Sequence, residues 1–109
     1  MDTPYVEVGG LRWGRSFWFA ANSSWPLARL EVSRDGIEIR VIGLLGRETL
    51  SLRREEILAI AQKVGLFSTG VVIAHQKASL PPFILFWTRN YGRLKDALQR
   101  LGYAVADEE

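Results

Sequence analysis

Residues 30–41, with the sequence LEVSRDGIEIRV, decide the fold class of this 109-residue chain. Apolar and polar side chains alternate on both sides of Asp35-Gly36, a dipeptide typical of two-residue β-hairpin turns. A turn centred on that dipeptide pairs Glu31 with Arg40 on one face, and on the other it pairs Val32 with Ile39 and Leu30 with Val41, with Arg34 opposite Ile37 next to the turn. The pattern therefore predicts an antiparallel hairpin with one buried face.

The same alternation predicts further strands along the chain. Residues 47–52 continue the hairpin as a third strand, and apolar runs at 16–20, 70–75 and 83–87 have strand length and composition. Residues 22–26 are rich in Asn, Ser and Pro, which indicates a loop. The side chains predicted to point into the core are Leu30, Val32, Ile39, Val41, Leu50 and Leu52.

Residues 53–63 fit two secondary structures. Their apolar spacing and their Glu, Ala, Gln and Arg content favour a helix. A strand buried on both sides is the alternative. Residues 90–102 predict a helix more clearly. Asn90 can cap its start, and Gly102 is placed to end it. One apolar stripe recurs at helical spacing between them: Tyr91, Leu94, Leu98 and Leu101.

This order of elements resembles a pleckstrin-homology-like (PH-like) domain, in particular the small bacterial PH-like proteins related to the GRAM branch. The resemblance is carried by the meander 27–52, by the segment EILAI at 56–60, and by GVVIAH at 70–75 followed by FILFW at 83–87 and the helix. It implies a mainly β fold, an antiparallel barrel of six to seven strands capped by one C-terminal α-helix. It also favours a strand over 55–62.

The resemblance also implies the domain limits. Residues 1–15 are expected to be an N-terminal extension with a short strand near Tyr5, residues 16–105 the PH-like domain, and residues 106–109 an acidic, frayed tail. Phosphoinositide-binding members of the family carry a basic cluster in the loop between their first two strands. This chain has no matching cluster, so specific inositide recognition is not implied.

Composition excludes several classes of function. The absence of cysteine rules out disulfides, thiolate metal sites and cysteine nucleophiles. His75 stands alone, and Glu55 and Glu56 are adjacent and cannot face one substrate. We therefore expect a protein that is not an enzyme and has no metal or cofactor. The net charge of +2 gives no reason to expect nucleic acid. Without a signal peptide or a 20-residue apolar run, a cytoplasmic protein, peripheral to a membrane at most, is expected.

The remaining candidates are contact residues. Trp25 and the Leu44-Leu45 turn could be packed, or could provide apolar contact to a partner or membrane. Arg29, Arg89 and Arg93 could supply the positive charge beside them. The predicted function is a non-enzymatic binding module for a protein partner or an anionic membrane surface. The alternative is a self-associating structural protein that pairs through residues 83–87 or through an uncovered edge strand.

Overall fold

The computed structural model describes residues 3–43 and 46–107. Seven strands and one α-helix form in these residues, with a short 3-10 turn at Arg54–Glu56. The elements are β1 (Tyr5–Gly14), β2 (Ala20–Ser33), β3 (Gly36–Gly43), β4 (Gly46–Arg53), β5 (Ile57–Val64), β6 (Thr69–His75), β7 (Phe83–Thr88) and α1 (Tyr91–Arg100).

All seven strands belong to one antiparallel sheet with the order β4-β3-β2-β1-β7-β6-β5. The predicted mainly β fold with a C-terminal helix is therefore confirmed. The sheet is not closed as a barrel, because β4 and β5 are its two ends. Residues 1–15 contain β1, which lies between β2 and β7 at the centre of the sheet.

The hairpin of β2 and β3 forms in a different register from the predicted one. Ser33 pairs with Gly36, so the turn consists of Arg34 and Asp35. Gly36 belongs to β3 because the backbone of β4 approaches it closely: a Cβ there would lie 2.2 Å from a carbonyl oxygen. The shift puts Glu31 opposite Glu38, not opposite Arg40. Since the pairing moved by two residues, the buried face is unchanged.

Two other local predictions are wrong. Residues 16–20 are not a strand: residues 15–19 form a loop from β1 to β2, closed by a hydrogen bond of 3.0 Å from the Arg15 N–H to the Phe19 carbonyl. Residues 22–26 are not a separate loop, because they lie within β2. In the first place the aromatic and apolar composition favoured a strand that does not form, and in the second the Asn, Ser and Pro content favoured a loop where β2 continues.

Most of the segment 53–63, whose sequence fits either a helix or a strand, belongs to strand β5. β5 pairs with β6 from Ile57 to Val64, and this ladder outweighs the weak helix preference of its Ala and Gln residues. The helix forms where predicted, although Asn90 gives it no side-chain cap. Gly102 adopts φ +93°, and the Tyr103 N–H returns to the Leu98 carbonyl at 2.8 Å to end the helix.

One core lies between the bent sheet and α1. All six side chains predicted to point inward are at most 4% exposed. The helix contributes its predicted stripe, since Leu94, Leu98 and Leu101 are buried in the same cluster. The core side of the sheet is thus filled by apolar side chains, which leaves the outer faces and the loops for contact with other molecules.

Candidate functional site

Charge is strongly segregated along this chain. Residues 8–30 and 57–95 contain eight Lys and Arg residues and no Asp or Glu, whereas the rest of the chain has six basic and twelve acidic residues. The acid-free segments form most of β1, the first part of β2, all of β5, β6 and β7, and the start of α1. These strands are neighbours in the sheet. One half of the molecule is therefore basic, which is a signal that the near-neutral net charge concealed.

A large bulge in β2 shapes the middle of this basic half. Gly9 pairs with Ala28 and Leu11 pairs with Ser23, so the single residue Gly10 faces the four residues 24–27 of β2. A Cβ at Gly10 would lie 2.8 Å from the Ser23 carbonyl oxygen, so only glycine lets the bulge lie this close to β1. The extra backbone projects Trp25 from the sheet, where its side chain is 45% exposed.

Beside the bulge lies a groove of about 420 Å³. Its walls come from four parts of the chain: the centre of β1, the β2 bulge, the loop between β5 and β6, and the end of β7. Three aromatic side chains, Trp25, Phe67 and Trp87, line it together with the polar residues Asn22, Ser23, Ser24, Ser68, Thr88 and Arg89. We call this the aromatic groove.

Arg89 supplies the charge of the aromatic groove. Its guanidinium carbon lies 3.9 Å from the centroid of the Trp25 ring, in the range of a cation–π contact. The side chain has no ion pair or hydrogen bond with the described residues, and the residue is exposed. Stacking therefore holds the guanidinium in place and leaves its N–H donors directed at solvent or at an anionic ligand.

A four-residue loop between β5 and β6 forms the most exposed apolar feature of the described chain. The Gly65 N–H donates to the Ser68 carbonyl at 2.9 Å and closes the loop. Leu66 and Phe67 at its tip are 94% and 98% exposed. Gly65 packs so closely on Trp87 that a Cβ would lie 2.8 Å from the indole ring. The loop is thus fixed at its base while its two apolar side chains are fully presented.

A second aromatic loop lies on the outer side of β1 and β7. The Arg12 Nε donates to the Phe17 carbonyl at 2.6 Å, and the Arg12 guanidinium lies 4.9 Å from the Phe17 ring. The same ring lies 6.0 Å from Phe83 and 5.8 Å from the Lys63 ammonium. Phe17 thereby fastens the loop, while Trp18 and Phe19 remain 80% and 75% exposed.

The structure brings together only part of the predicted contact set. Trp25 and Arg89 meet in the aromatic groove. Arg29 is exposed on β2 opposite Arg40, and Arg93 is exposed on α1. Leu44 and Leu45 lie outside the described residues. Leu66, Phe67 and Trp87 were not predicted as contact residues from the sequence. The available signal was the apolar pair Leu66-Phe67 between Gly65 and Ser68, two residue types that are common in turns.

A buried polar cluster lies below the groove, where β1 meets the end of β7. Glu7 is 6% exposed and accepts hydrogen bonds from the hydroxyls of Tyr5 and Thr88. Burial, followed by the hydrogen bond and the charge of Glu7, raises the pKa of Tyr5 to about 12. Both hydrogen bonds of this buried carboxylate are thus made within the fold.

The residues considered for chemistry have structural contacts. The two ring nitrogens of His75 contact the backbone of the following loop: Nε2 lies 2.8 Å from the Pro81 oxygen, and Nδ1 accepts the Lys77 N–H at 3.0 Å. Glu56 accepts the Arg53 N–H at 2.8 Å. Within residues 3–43 and 46–107, no three His, Asp or Glu side chains are grouped so as to hold a metal ion.

Comparison with known proteins adds no assignment. No protein-family model matches this chain, and no curated protein shows significant similarity to it. In the described part of the chain, α1 is the single α-helix, and it is too short and too polar to cross a bilayer.

Proposed function

We propose that this protein is a non-enzymatic binding module that docks on an anionic membrane surface. The docking face consists of the Leu66-Phe67 tip and the aromatic groove with its basic residue Arg89. The PH-like resemblance and a cytoplasmic location, peripheral to a membrane, belong to this proposal. Seven antiparallel strands followed by one helix support the resemblance.

The observation that carries the proposal is the position of the exposed tip within the acid-free half. Two apolar side chains that protrude from a fixed loop suit insertion into the interfacial region of a bilayer, where Phe, Trp and Leu partition favourably. A convex tip of this kind is less suited to a flat protein surface, which would need a matching pocket. Basic residues beside it attract anionic headgroups, each contributing on the order of 1 kcal/mol.

Apolar insertion and electrostatic attraction can be separated by their dependence on salt. Apolar insertion is insensitive to salt, whereas attraction between basic residues and lipid weakens as the Debye length falls from roughly 30 Å at 0.01 M salt to about 8 Å at 0.15 M. A module that uses both should bind anionic vesicles at low salt, lose affinity at physiological salt, and bind neutral vesicles weakly.

The direct test is vesicle co-sedimentation of the full chain. Vesicles of phosphatidylcholine alone are compared with vesicles that contain phosphatidylglycerol, at low and at physiological salt. The Arg89→Gln variant removes the groove charge, and Arg40→Gln, on the acidic half of the sheet, is its matched control. We expect anionic-lipid-dependent binding that Arg89→Gln weakens more than Arg40→Gln. Absence of binding to either vesicle would overturn the proposal and favour a protein partner.

A further inference from the structure

The outer edge of β5 is occupied by the chain's own C-terminal segment. Ala106 forms a parallel bridge with Ala61: the Ala106 N–H donates to the Ile60 carbonyl at 2.9 Å, and the Gln62 N–H donates to the Ala106 carbonyl at 2.8 Å. The segment thus acts as a short eighth strand on an edge that would otherwise be open. We call residues 103–106 the edge strap.

The edge strap is held by a buried aromatic ring at its start and by the two backbone hydrogen bonds of Ala106 at its end. The Tyr103 ring is 7% exposed and lies 4.5 Å from the Arg54 guanidinium carbon, and its hydroxyl donates to the Ser33 carbonyl at 2.7 Å. Ala104 and Ala106 are exposed, and both line a shallow cavity of about 300 Å³ together with Leu58 and Ala59 of β5. Release of the end while Tyr103 stays in place requires breaking the two Ala106 hydrogen bonds and the exposed ion pair between Lys95 and Asp107, whose atoms are 3.6 Å apart.

The edge beneath the strap has the properties of a self-pairing strand. β5 has the sequence ILAIAQKV, with one charged residue and no proline. Such segments pair with further strands when their edges are free. Leu58 is 63% exposed beside the strap, and nothing in the described residues covers it. β4, the strand at the other edge of the sheet, is less suited to such pairing because it carries three charged residues, Arg47, Glu48 and Arg53.

A second copy of β5 fits this edge by symmetry. In an antiparallel pair about a two-fold axis at Ile60, each Ile60 faces its equivalent, and Leu58, which lies in a β-bulge against β6, comes next to Gln62 of the other copy. No like charges oppose one another in this register. The pair would use the Ile60 carbonyl and the Gln62 N–H, which are the groups that Ala106 holds. Strap and second copy are therefore mutually exclusive.

We propose that the edge strap is an intramolecular competitor of a homodimer formed through β5. The closed monomer is the state described above, and release of Ala106 exposes the dimer edge. Residues 83–87, the other predicted site of self-association, cannot serve, because β7 is paired on both sides within the sheet. This inference is independent of membrane docking, which uses the opposite end of the β5–β6 hairpin.

Ala106→Pro tests the competition, because proline lacks the N–H that Ile60 accepts. Ala106→Val keeps that donor and is the matched control. Sedimentation velocity over a concentration series should give a mass near 12.3 kDa for the parent chain and for Ala106→Val. Ala106→Pro should approach twice that mass. A folded Ala106→Pro variant that stays monomeric, or a parent chain that is already a dimer, would overturn the proposal.

The register is tested by disulfide formation, since the chain has no cysteine of its own. Leu58→Cys and Gln62→Cys are combined in one chain. Their Cα atoms are about 13 Å apart along a strand, so they cannot form an intrachain bond. Oxidation should link two copies covalently in the Ala106→Pro background and not in the Ala106→Val background. Equal cross-linking in both backgrounds would contradict the role of the strap.

If Ala106→Pro loses the circular dichroism of the parent chain, Tyr103→Phe provides a second test. It removes the hydrogen bond to Ser33 that anchors the strap while it keeps the buried ring. The variant should dimerise at lower concentration than the parent chain. A folded Tyr103→Phe protein with unchanged self-association at every concentration would count against the proposal.

Discussion

Removing the apolar tip should uncouple membrane docking from folding. Leu66 and Phe67 are 94% and 98% exposed, so insertion into the bilayer would bury nearly the whole surface of both side chains. Full burial of such a side chain contributes about 1.5–3 kcal/mol, and the interface is only partly apolar, so we take the lower value for each. The double substitution Leu66→Ser with Phe67→Ser should then weaken partitioning by about 3 kcal/mol, or roughly 100-fold.

The measurement is a titration of each protein with phosphatidylglycerol-containing vesicles, with the bound fraction determined by co-sedimentation. Leu58→Ser is the matched control, because Leu58 is also exposed but lies on the edge of β5 away from the tip. The unfolding midpoint should change little in both variants, since exposed side chains contribute little to stability. A decrease of less than about threefold in the partition coefficient of the double variant, or an equal decrease in Leu58→Ser, would refute the reasoning.

Three further predictions concern the fold that supports this face. Arg54→Ala should lower the free energy of unfolding by about 1–2 kcal/mol in chemical denaturation, because the guanidinium donates to the backbone carbonyls of residues 34, 101 and 102 at an exposed site. An unchanged denaturation midpoint would contradict this role. Tyr5 should ionise near pH 12 in an absorbance titration, and because burial also raises the pKa of Tyr91 and Tyr103, the check is the difference between the parent chain and Tyr5→Phe: an unchanged absorbance change near pH 12 in Tyr5→Phe would contradict the assignment. Because its folded pKa is raised, its contribution to stability is complete below pH 10 and is lost as the pH rises towards 12. The neutral ring of His75 should carry its proton on Nε2 in ¹⁵N NMR, since Nδ1 accepts the Lys77 N–H, and an Nδ1–H tautomer would contradict the loop geometry.

The sequence predicted the fold where the period of the side chains is clear. Alternation in residues 30–41 placed the inward face correctly even though the register was shifted, because a shift of two residues keeps every side chain on its face. The turn was misplaced because Asp35-Gly36 is a common turn dipeptide, and only the approach of β4 to Gly36 excludes it there. Residues 57–64 became a strand through pairing with β6, which local propensity cannot reveal.

The candidate site was less predictable because it depends on contacts between distant segments. Trp25 and Arg89 are 64 positions apart and meet through the β2 bulge, which has no simple sequence signature. Leu66 and Phe67 appear as an ordinary apolar pair until the hairpin of β5 and β6 is known. The segregation of charge was available from the sequence, but its meaning required the order of the strands.

Membrane docking is tested most directly by measuring where the Leu66-Phe67 tip lies relative to a bilayer. Because the chain has no cysteine, Leu66→Cys can carry a single nitroxide, and Thr49→Cys on the acidic half serves as the reference position. Electron paramagnetic resonance then compares collisions with oxygen and with a water-soluble nickel complex as phosphatidylglycerol vesicles are added. We predict that the label at position 66 becomes accessible to oxygen and protected from nickel, while the label at position 49 does not change. Equal accessibility at both positions in the presence of vesicles would contradict docking through the Leu66-Phe67 tip.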